Sequence, residues 1–430
     1  MMGGLREVLG GLPDCRKGKN LSYKMADFAL GAFSVFFTQS PSFLAHQTAM
    51  QQAKAQNNAT SLFGINPLPC DNQIRQMLDP VPPQAIYPAY DLLYEALRQE
   101  GVLETFRNAE NSTLIAMDGT WYHASQKISC ASCSRIEHRN GEITCFHSAV
   151  TPVIVAAGKS EVISLRPEFI TPQDGHTKQD CELAASKRWL DQNAARYLHG
   201  SVTLLGDDLY AHQPFCRHAR LHGFHFLLVC KPESHPTLFQ WVNSLPMGPA
   251  LSVVQRRVKV GSRFHSCTYR FANQVALAEG PDALKVNWFE LVVTDPAGQV
   301  TYRNSWITDH LLTPKNVESW AASARARWKI ENEGNNTLKT KGYHLEHNFG
   351  HGKRHLSSVL VTLNLLAFLF HTVLQLKDDS YRLVRATLPT RKTFFQDVRA
   401  LTRYFYFPDW TALLDFMMRG LEIGPYTKPP

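Results

Sequence analysis

The sequence predicts a mixed α/β fold with an all-helical N-terminal domain and a β-rich insertion in its second half. Three observations lead to this prediction. Helical periodicity runs through the first hundred residues, strand-like and helical segments alternate from 112 to 230, and four further strand-like segments precede 314. At 430 residues the chain is long for one core, and its 44% hydrophobic and 19% charged residues are typical of a folded protein.

The N-terminal domain is assigned to residues 1–108. Residues 1 to about 24 carry glycine and lysine, and we expect them to be poorly ordered. The proline-rich Asp79–Pro83 and Gly101 end two of the helices expected downstream, which lie within 25–50, 71–77 and 85–99. The residues alone leave two roles open for this domain, a packing unit or a binding module.

Residues 109–240 show the alternation of an α/β unit. Strand composition occurs at 112–118, 143–157, 161–165, 202–205 and 225–230, and helical patterns occur at 180–197 and 212–222. Asp118 and Asp207 each close an apolar strand, so we expect both carboxylates to emerge at strand ends. Asp208 is the alternative to Asp207 as the second acid, but on a strand its side chain would point to the opposite side of the sheet.

The second half of the chain adds a β-rich insertion at 241–314 and then helices. Each strand-like segment of the insertion has one apolar face, so we predict an antiparallel subdomain whose apolar face needs a partner sheet. These segments are Arg256–Val260, Phe264–Phe271, Lys285–Thr294 and Val300–Trp306. Two long helices are expected within 315–378, and short amphipathic helices form the tail, 379–430.

Three acids, Asp118, Asp207 and Glu331, form the chemically informative set. Two strand-borne aspartates and one helix-borne glutamate suit two Mg²⁺ ions, or Mn²⁺. Hard cations prefer a few carboxylates and keep room for water and phosphate oxygens. A pair of such ions activates a nucleophile and stabilises the leaving oxygen in phosphodiester chemistry.

The helix that carries Glu331 has further polar residues on the same face. Arg327 lies one turn before it and Asn335 one turn after it. Arg327 is either a surface ion-pair partner or a group that orients Glu331 and grips a phosphate. Trp328 and Ile330 are expected in the core. The sequence has no glycine-rich nucleotide loop, so no nucleotide cofactor is expected.

These residues resemble the Asp-Asp-Glu transposases of bacterial insertion sequences, in particular the cut-and-paste group with a Tyr-x2-Arg-x3-Glu-x6-Lys signature. Arg327 and Glu331 match the Arg-x3-Glu part, and Asp207–Tyr210 resembles the Asp-Arg-Gly-Tyr of that group around the second acid. Ala324 stands at the tyrosine position, and Lys339 lies one residue beyond the lysine position. The resemblance covers about 110 to 375.

The resemblance implies an RNase H-like catalytic core in which Asp118, Asp207 and Glu331 are catalytic and bind the two metal ions. It implies cleavage at the inverted-repeat ends of a transposon and transfer of the freed 3′-hydroxyl into target DNA. A homodimer is expected to bridge two double-stranded DNA ends. Tyr210 and Lys339 become supporting or DNA-contacting residues under this interpretation.

The same resemblance makes 1–108 an expected DNA-end-binding domain. Two alternatives stay open: an RNase H-like nuclease or resolvase, and a domesticated derivative that binds DNA without cutting it. The three acids argue against a decayed site, whereas the departures from the signature leave that alternative standing. Metal-dependent strand cleavage distinguishes a catalytic protein from a non-catalytic derivative.

Charge and cysteine usage bear on partners and location. The net charge of +8 and the isoelectric point near 9.0 suit a polyanionic partner such as DNA. Nine scattered cysteines without a secretory signal predict reduced thiols in a bacterial cytoplasm. The apolar stretch 359–376 is interrupted by polar residues, so we expect a buried helix and no membrane partner.

A group of thiols and an imidazole suggests a second metal site. Cys130-x2-Cys133, followed by Cys145 and His147, has the residue types of a structural zinc site. The Asn140-Gly141 turn signal lies between the two halves, so a hairpin could bring them to one ion. The other interpretation is a set of ordinary buried thiols, since free cysteine is common in protein cores.

Overall fold

The computed structural model describes residues 1–17, 22–51, 57–174 and 178–424. Its helices are, in chain order, α1 (Met2–Gly10), α2 (Met25–Phe37), α3 (Phe43–Gln51), α4 (Asn58–Phe63), α5 (Asp71–Leu78), α6 (Tyr87–Gln99), α7 (Lys178–Asn193), α8 (Gln213–Leu221), α9 (Pro236–Ser244), α10 (Val317–Arg325), α11 (Asn336–Thr340), α12 (Leu356–Lys377), α13 (Asp379–Thr387), α14 (Arg391–Tyr404) and α15 (Trp410–Gly420). A π-helical turn at Ile330–Asn335 leads directly into α11.

The strands form two sheets. In chain order they are β1 (Thr113–Ala116), β2 (Gly119–Ser125), β3 (Ser134–Glu137), β4 (Ile143–Val150), β5 (Val153–Val155), β6 (Ile163–Ser164), β7 (Glu168–Ile170), β8 (Val202–Gly206), β9 (His225–Val229), β10 (Ser252–Val260), β11 (Arg263–Ala276), β12 (Lys285–Thr294) and β13 (Val300–Thr308). The larger sheet has the order β10-β11-β12-β13-β9-β8-β1-β5-β6, and the smaller one has the order β2-β4-β3 with β7 also paired to β4.

The centre of the larger sheet is parallel and its flanks are antiparallel. β1 pairs in parallel with β8, and β8 pairs in parallel with β9. β5 and β6 follow on the other side of β1 in antiparallel pairing. Every residue of β8 is buried, as expected for a strand whose two faces are both covered. α7 lies between β6 and β8 in the chain, and α8 lies between β8 and β9.

The smaller sheet is inserted between β1 and β5. β2 starts immediately after Asp118 and pairs with β4, which returns to the start of β5. The hairpin turn predicted at Asn140-Gly141 is confirmed: β3 and β4 pair on either side of it. Gly141 has φ +81, a conformation that side chains disfavour, so glycine suits this position. The insertion therefore rises directly from the end of β1.

The four segments predicted as strands in the insertion lie within β10–β13, which are antiparallel. The expectation of a partner sheet was wrong. β13 pairs antiparallel with β9, with Trp306 opposite Val229, so these strands extend the main sheet sideways. Helices cover the apolar face instead, as illustrated by Phe239 of α9, whose ring lies 5.8 Å from that of Trp288.

The N-terminal helices share an apolar core with the C-terminal helices. α2 packs along α12, where the rings of Phe33 and Phe370 are 5.9 Å apart. The side-chain amide of Asn58 donates to the Thr402 carbonyl over 2.8 Å. All thirteen residues of α2 are buried, so this helix has no free face for DNA.

Two further features of the helical part bear on the sequence predictions. The expectation that the first 24 residues are poorly ordered was wrong for 2–10, because α1 forms there and buries Leu5 and Leu9. Residues 18–21 of that stretch lie outside the described residues. α12 is long and apolar enough to cross a membrane, but 83% of its most apolar window is buried inside the protein, as in a core helix.

Candidate active site

Asp118 and Asp207 lie at the same edge of the main sheet. Because β1 and β8 are parallel neighbours, with Ala116 opposite Leu205, the residues just after both strands emerge side by side. The Met117 N–H also donates to the Leu205 carbonyl over 2.9 Å, which keeps the two strands in register up to the acids. This placement is the one expected for two aspartates that follow apolar strands.

Glu331 comes to the site on the π-helical turn that follows α10. Its Oε1 lies 2.8 Å from Nη1 of Arg327, one turn earlier. Asn335, at the end of the same turn, donates from Nδ2 to Oδ2 of Asp118 over 3.1 Å and accepts from Oγ1 of Thr151 over 3.0 Å. Asn335 thus joins the helix of Glu331 to the end of β1. Wide π turns inside helices are frequent at functional sites.

The electrostatics of Asp118 are strongly perturbed. The pKa of its carboxyl is raised from 3.8 to about 7, chiefly by burial and then by the charges of Glu182, Glu331 and Asp207, while Arg327 opposes them. Burial also raises the pKa of Asp207, although the hydrogen bond from the Leu209 N–H and the charge of Arg327 act to lower it. The site holds more negative charge than its own groups neutralise, and a bound cation would relieve this conflict.

The three predicted acids are neighbours but do not form a cage around one point. Among the described residues, they are not a group whose ligand atoms all lie within 4.8 Å of one another. Glu331 is also about half exposed, at 52%, whereas Arg327 beside it is 19% exposed. The arrangement therefore does not suit a single ion held by all three acids.

A fourth acid at the site, Glu182 of α7, has no motif in the sequence to mark it. It is 6% exposed, and its Oε1 accepts from the Gly119 N–H over 3.2 Å and from the Tyr210 hydroxyl over 2.8 Å. A Cβ on Gly119 would lie 2.4 Å from Oε2 of Glu182, so only glycine leaves room for this carboxylate. Glu182 is the largest of the charges that raise the pKa of Asp118.

Tyr210 is buried next to the acids and hydrogen-bonds to Glu182. It is 1% exposed, and its hydroxyl lies 3.1 Å from Oγ of Ser186 in addition to its bond to Glu182. A Cβ on Gly206 would lie 2.8 Å from the Tyr210 ring, so glycine at the end of β8 allows the ring to fold back. In this position Tyr210 donates to Glu182 and is buried from solvent, so the expectation that it contacts a partner directly does not fit its burial.

Asp208 faces away from the acids. Its carboxylate accepts from the Lys231 N–H over 2.7 Å and from the Ser234 hydroxyl, which ties it to the loop after β9. Asp207 instead accepts from the Leu209 N–H over 3.0 Å at the end of β8. The two neighbouring acids thus have separate surroundings, and Asp207 is the one beside Asp118.

The structure also places Lys339 and Trp328, two further residues near Glu331 in the sequence. Nζ of Lys339 lies 2.8 Å from Oε1 of Glu346, so its charge is already paired on the surface. Trp328 was expected in the core, but it is 44% exposed, whereas Ile330 is fully buried. α10 ends at Arg325 and the π turn begins at Ile330, so Trp328 lies between them and the periodicity of one continuous helix does not apply to it.

The thiol group is brought together in part. Cys130, Cys133 and His147 converge, and His351 joins them from the segment before α12. Cys145 does not belong to this cluster, which corrects the sequence prediction. The position beside His147 is taken instead by His351, whose Nε2 lies 3.2 Å from Nε2 of His147.

A comparison of the chain with protein-family models and with curated proteins finds no match. Any functional conclusion therefore depends on the site geometry and on the sequence signature.

Proposed function

We propose that this chain is a metal-dependent DNA transposase of the Asp-Asp-Glu type, with an RNase H-like core. One observation carries the proposal: Asp118 and Asp207 end adjacent parallel strands, and Asn335 links the helix of Glu331 to Asp118. Three acids that are about 90 or more residues apart in the sequence are thereby held at one sheet edge.

The strand order supports the proposed core. Around β1 the chain places β5 and β6 on one side and β8 and β9 on the other. Three strands, a helix, a strand, a helix and a strand follow one another, once the small sheet is set aside. This is the order expected of an RNase H-like domain, in which the acids occupy the ends of the central strands.

Asp118, Asp207 and Glu331 would hold two Mg²⁺ or Mn²⁺ ions. The ions supply Lewis acidity toward the phosphate and a nucleophile at neutral pH. Asn335 orients the Asp118 carboxylate, and Arg327 holds Glu331. A water then cleaves at the transposon end, and the freed 3′-hydroxyl attacks target DNA by transesterification, which needs no nucleotide cofactor.

Basic and aromatic groups on the surface suit double-stranded DNA. The β10–β11 hairpin projects with Arg257, Lys259 and Arg263 exposed, and the chain carries a net charge of +8. Phosphate contacts of this type give binding that weakens steeply with salt. Trp328 is exposed and lies within three residues of both Arg327 and Glu331 in the sequence. Its ring offers a surface on which a displaced base can stack.

The partners that follow are transposon inverted-repeat ends and target DNA, bridged by a homodimer formed on DNA. Residues 1–108 contribute to end binding through helices other than α2, which is buried. The site lies in a protein whose apolar helix α12 is part of the core, so no membrane partner is proposed.

Strand cleavage by purified protein tests the proposal. The substrate is a plasmid that carries the reading frame with its natural flanking DNA, incubated with Mg²⁺. We expect nicking at the flanks by the wild type and none by Asp118→Ala, Asp207→Ala or Glu331→Ala, all of which retain DNA binding because they ligate metal. Asp208→Ala is the matched control and retains cleavage, because its carboxylate faces the loop after β9.

The outcomes separate the alternatives. Cleavage without joining of the freed 3′ end to target DNA would identify a nuclease or resolvase. Wild-type binding without any metal-dependent cleavage would identify a non-catalytic DNA-binding derivative. Full nicking by any one of the three alanine variants would contradict the assignment of that acid.

A further inference from the structure

Four soft side chains from three separate parts of the chain meet beside the small sheet. Cys130 and Cys133 lie in the connection between β2 and β3, His147 lies on β4, and His351 lies in the segment between α11 and α12. Cys133 and His351 are 218 residues apart in sequence. Their meeting is therefore a product of the tertiary fold.

The four ligand atoms all lie within 4.8 Å of one another. The two Sγ atoms are 3.8 Å apart. Nε2 of His147 lies 3.5 Å from Sγ of Cys130 and 3.4 Å from Sγ of Cys133. Nε2 of His351 lies 3.5 Å from Sγ of Cys133 and 3.2 Å from Nε2 of His147.

These separations match those of a tetrahedral zinc site. Zinc lies about 2.3 Å from a thiolate and about 2.05 Å from an imidazole nitrogen. Tetrahedral angles then place two thiolates about 3.8 Å apart, a thiolate and an imidazole about 3.5 Å apart, and two imidazoles about 3.3 Å apart. A disulfide is excluded as a description of this geometry, because its sulfurs would be about 2.05 Å apart.

The groups around the cluster prepare it for a cation. The Cys130 N–H donates to Sγ of Cys133 over 3.3 Å, and the Cys133 N–H donates to the Cys130 carbonyl over 3.2 Å, which folds the two cysteines into one turn. Nδ1 of His351 donates to the Gly352 carbonyl over 3.2 Å. Because a carbonyl can only accept, the proton is on Nδ1 and the lone pair of Nε2 faces the cluster.

We propose that Cys130, Cys133, His147 and His351 form a structural zinc site. Four protein ligands complete the tetrahedron and leave no position for substrate, which is the mark of a structural zinc and not of a catalytic one. Two thiolates select zinc over the Mg²⁺ proposed at the acids. The inference does not depend on the proposed transposase activity.

The site has a mechanical consequence for the fold. It fastens the segment that follows Glu331 and α11 to the small sheet that begins directly after Asp118. The same segment is also held by Asp79, whose carboxylate accepts from the N–H groups of Lys353, Arg354 and Leu356. Zinc thus cross-links two parts of the chain that carry different acids.

Metal content of the whole chain tests the proposal. The protein is produced with zinc in the medium, dialysed against EDTA-free buffer and analysed by inductively coupled plasma mass spectrometry. We expect one zinc per chain in the wild type. His351→Ala and Cys133→Ser should bind zinc at least about 100-fold more weakly, since even second-shell losses cost 10- to 100-fold.

Cys145→Ser is the matched control, because Cys145 is a buried thiol two residues from His147 and outside the cluster. It should retain one zinc. A second measurement needs no variant: Co²⁺ substituted into the wild type should give the visible absorption bands of a tetrahedral site with two thiolates.

Four results would overturn the inference. One is wild-type protein without zinc after growth in zinc medium, and another is a Co²⁺ spectrum of octahedral type. The third is a Cys145→Ser variant that loses zinc as fully as His351→Ala. An intramolecular Cys130–Cys133 disulfide, seen as a mass loss of two hydrogens in protein purified with reductant, would also exclude the zinc site.

Discussion

The Asp118 carboxyl gives the sharpest test of the site, because its ionised form is unfavourable in the metal-free protein. The change to make is Asp118→Asn, which keeps the size of the side chain and an oxygen that can accept from Asn335. It removes the negative charge that is buried next to Glu182, Glu331 and Asp207. We therefore expect the variant to lose cleavage and yet to be more stable than the wild type without metal.

The magnitude follows from the pKa of Asp118, which rises from 3.8 in the reference state to about 7 in the folded protein. Between these values the folded state holds a proton that the unfolded state has lost. The free energy of unfolding therefore falls as pH rises through this window, and the penalty is complete above about pH 7. At pH 8 it amounts to at most about 4 kcal/mol, and at pH 5 to about 2 kcal/mol.

Urea unfolding measured with EDTA at pH 8 and pH 5 checks this expectation. Asp118→Asn should gain stability at pH 8 and gain less at pH 5, and Mn²⁺ should raise the unfolding midpoint of the wild type but not of the variant. The control Asp208→Asn should lose about 1 kcal/mol through its weakened bonds and still respond to Mn²⁺. Equal stability of wild type and Asp118→Asn at pH 8, or equal responses to Mn²⁺, would refute the reasoning.

Three further predictions concern two neighbours of the acids and the strands β10–β13. Gly119→Ala should lower the free energy of unfolding in urea by about 1–3 kcal/mol and reduce cleavage, because the new Cβ would lie 2.4 Å from Glu182. Gly3→Ala is the control and should be neutral, because the space around Gly3 is open. Asn335→Ala should slow cleavage about 10- to 100-fold in a nicking assay, because Asn335 orients the Asp118 carboxylate. DNA binding in gel shifts should not change. An unaltered nicking rate would show that Asn335 does not belong to the site. Deletion of 252–308 should yield insoluble protein in a sedimentation assay, because it uncovers the edge of β9; a soluble, folded product would show that these strands are dispensable.

Features that depend on neighbouring residues were accessible from the sequence. Apolar alternation marked the strands, and the Asn140-Gly141 pair marked the turn between β3 and β4. The two aspartates were predicted as site residues because each lies at the end of such an apolar strand, where the strand end positions its carboxylate. The choice of Asp207 over Asp208 also followed from strand alternation, and the bonds of Asp208 to Lys231 and Ser234 agree with it.

Features that depend on distant parts of the chain were decided by the tertiary structure. Glu182 lies on a helix without a motif, and only the packing of α7 against the small sheet brings it to Gly119 at the start of β2. His351, which lies 204 residues after His147 in sequence, completes the thiol cluster in place of Cys145, and only the packing of its segment beside the small sheet brings it there.

The same distinction explains the insertion and the helix of Glu331. The sequence determined that β10–β13 are strands with one apolar face each, because alternation is a local property. It could not determine that β13 would pair with β9, since sheet edges are chosen by hydrogen bonding between strands far apart in the chain. Likewise, the π turn that ends at Asn335, whose side-chain amide donates to Asp118, depends on backbone hydrogen bonds that residue spacing alone does not reveal.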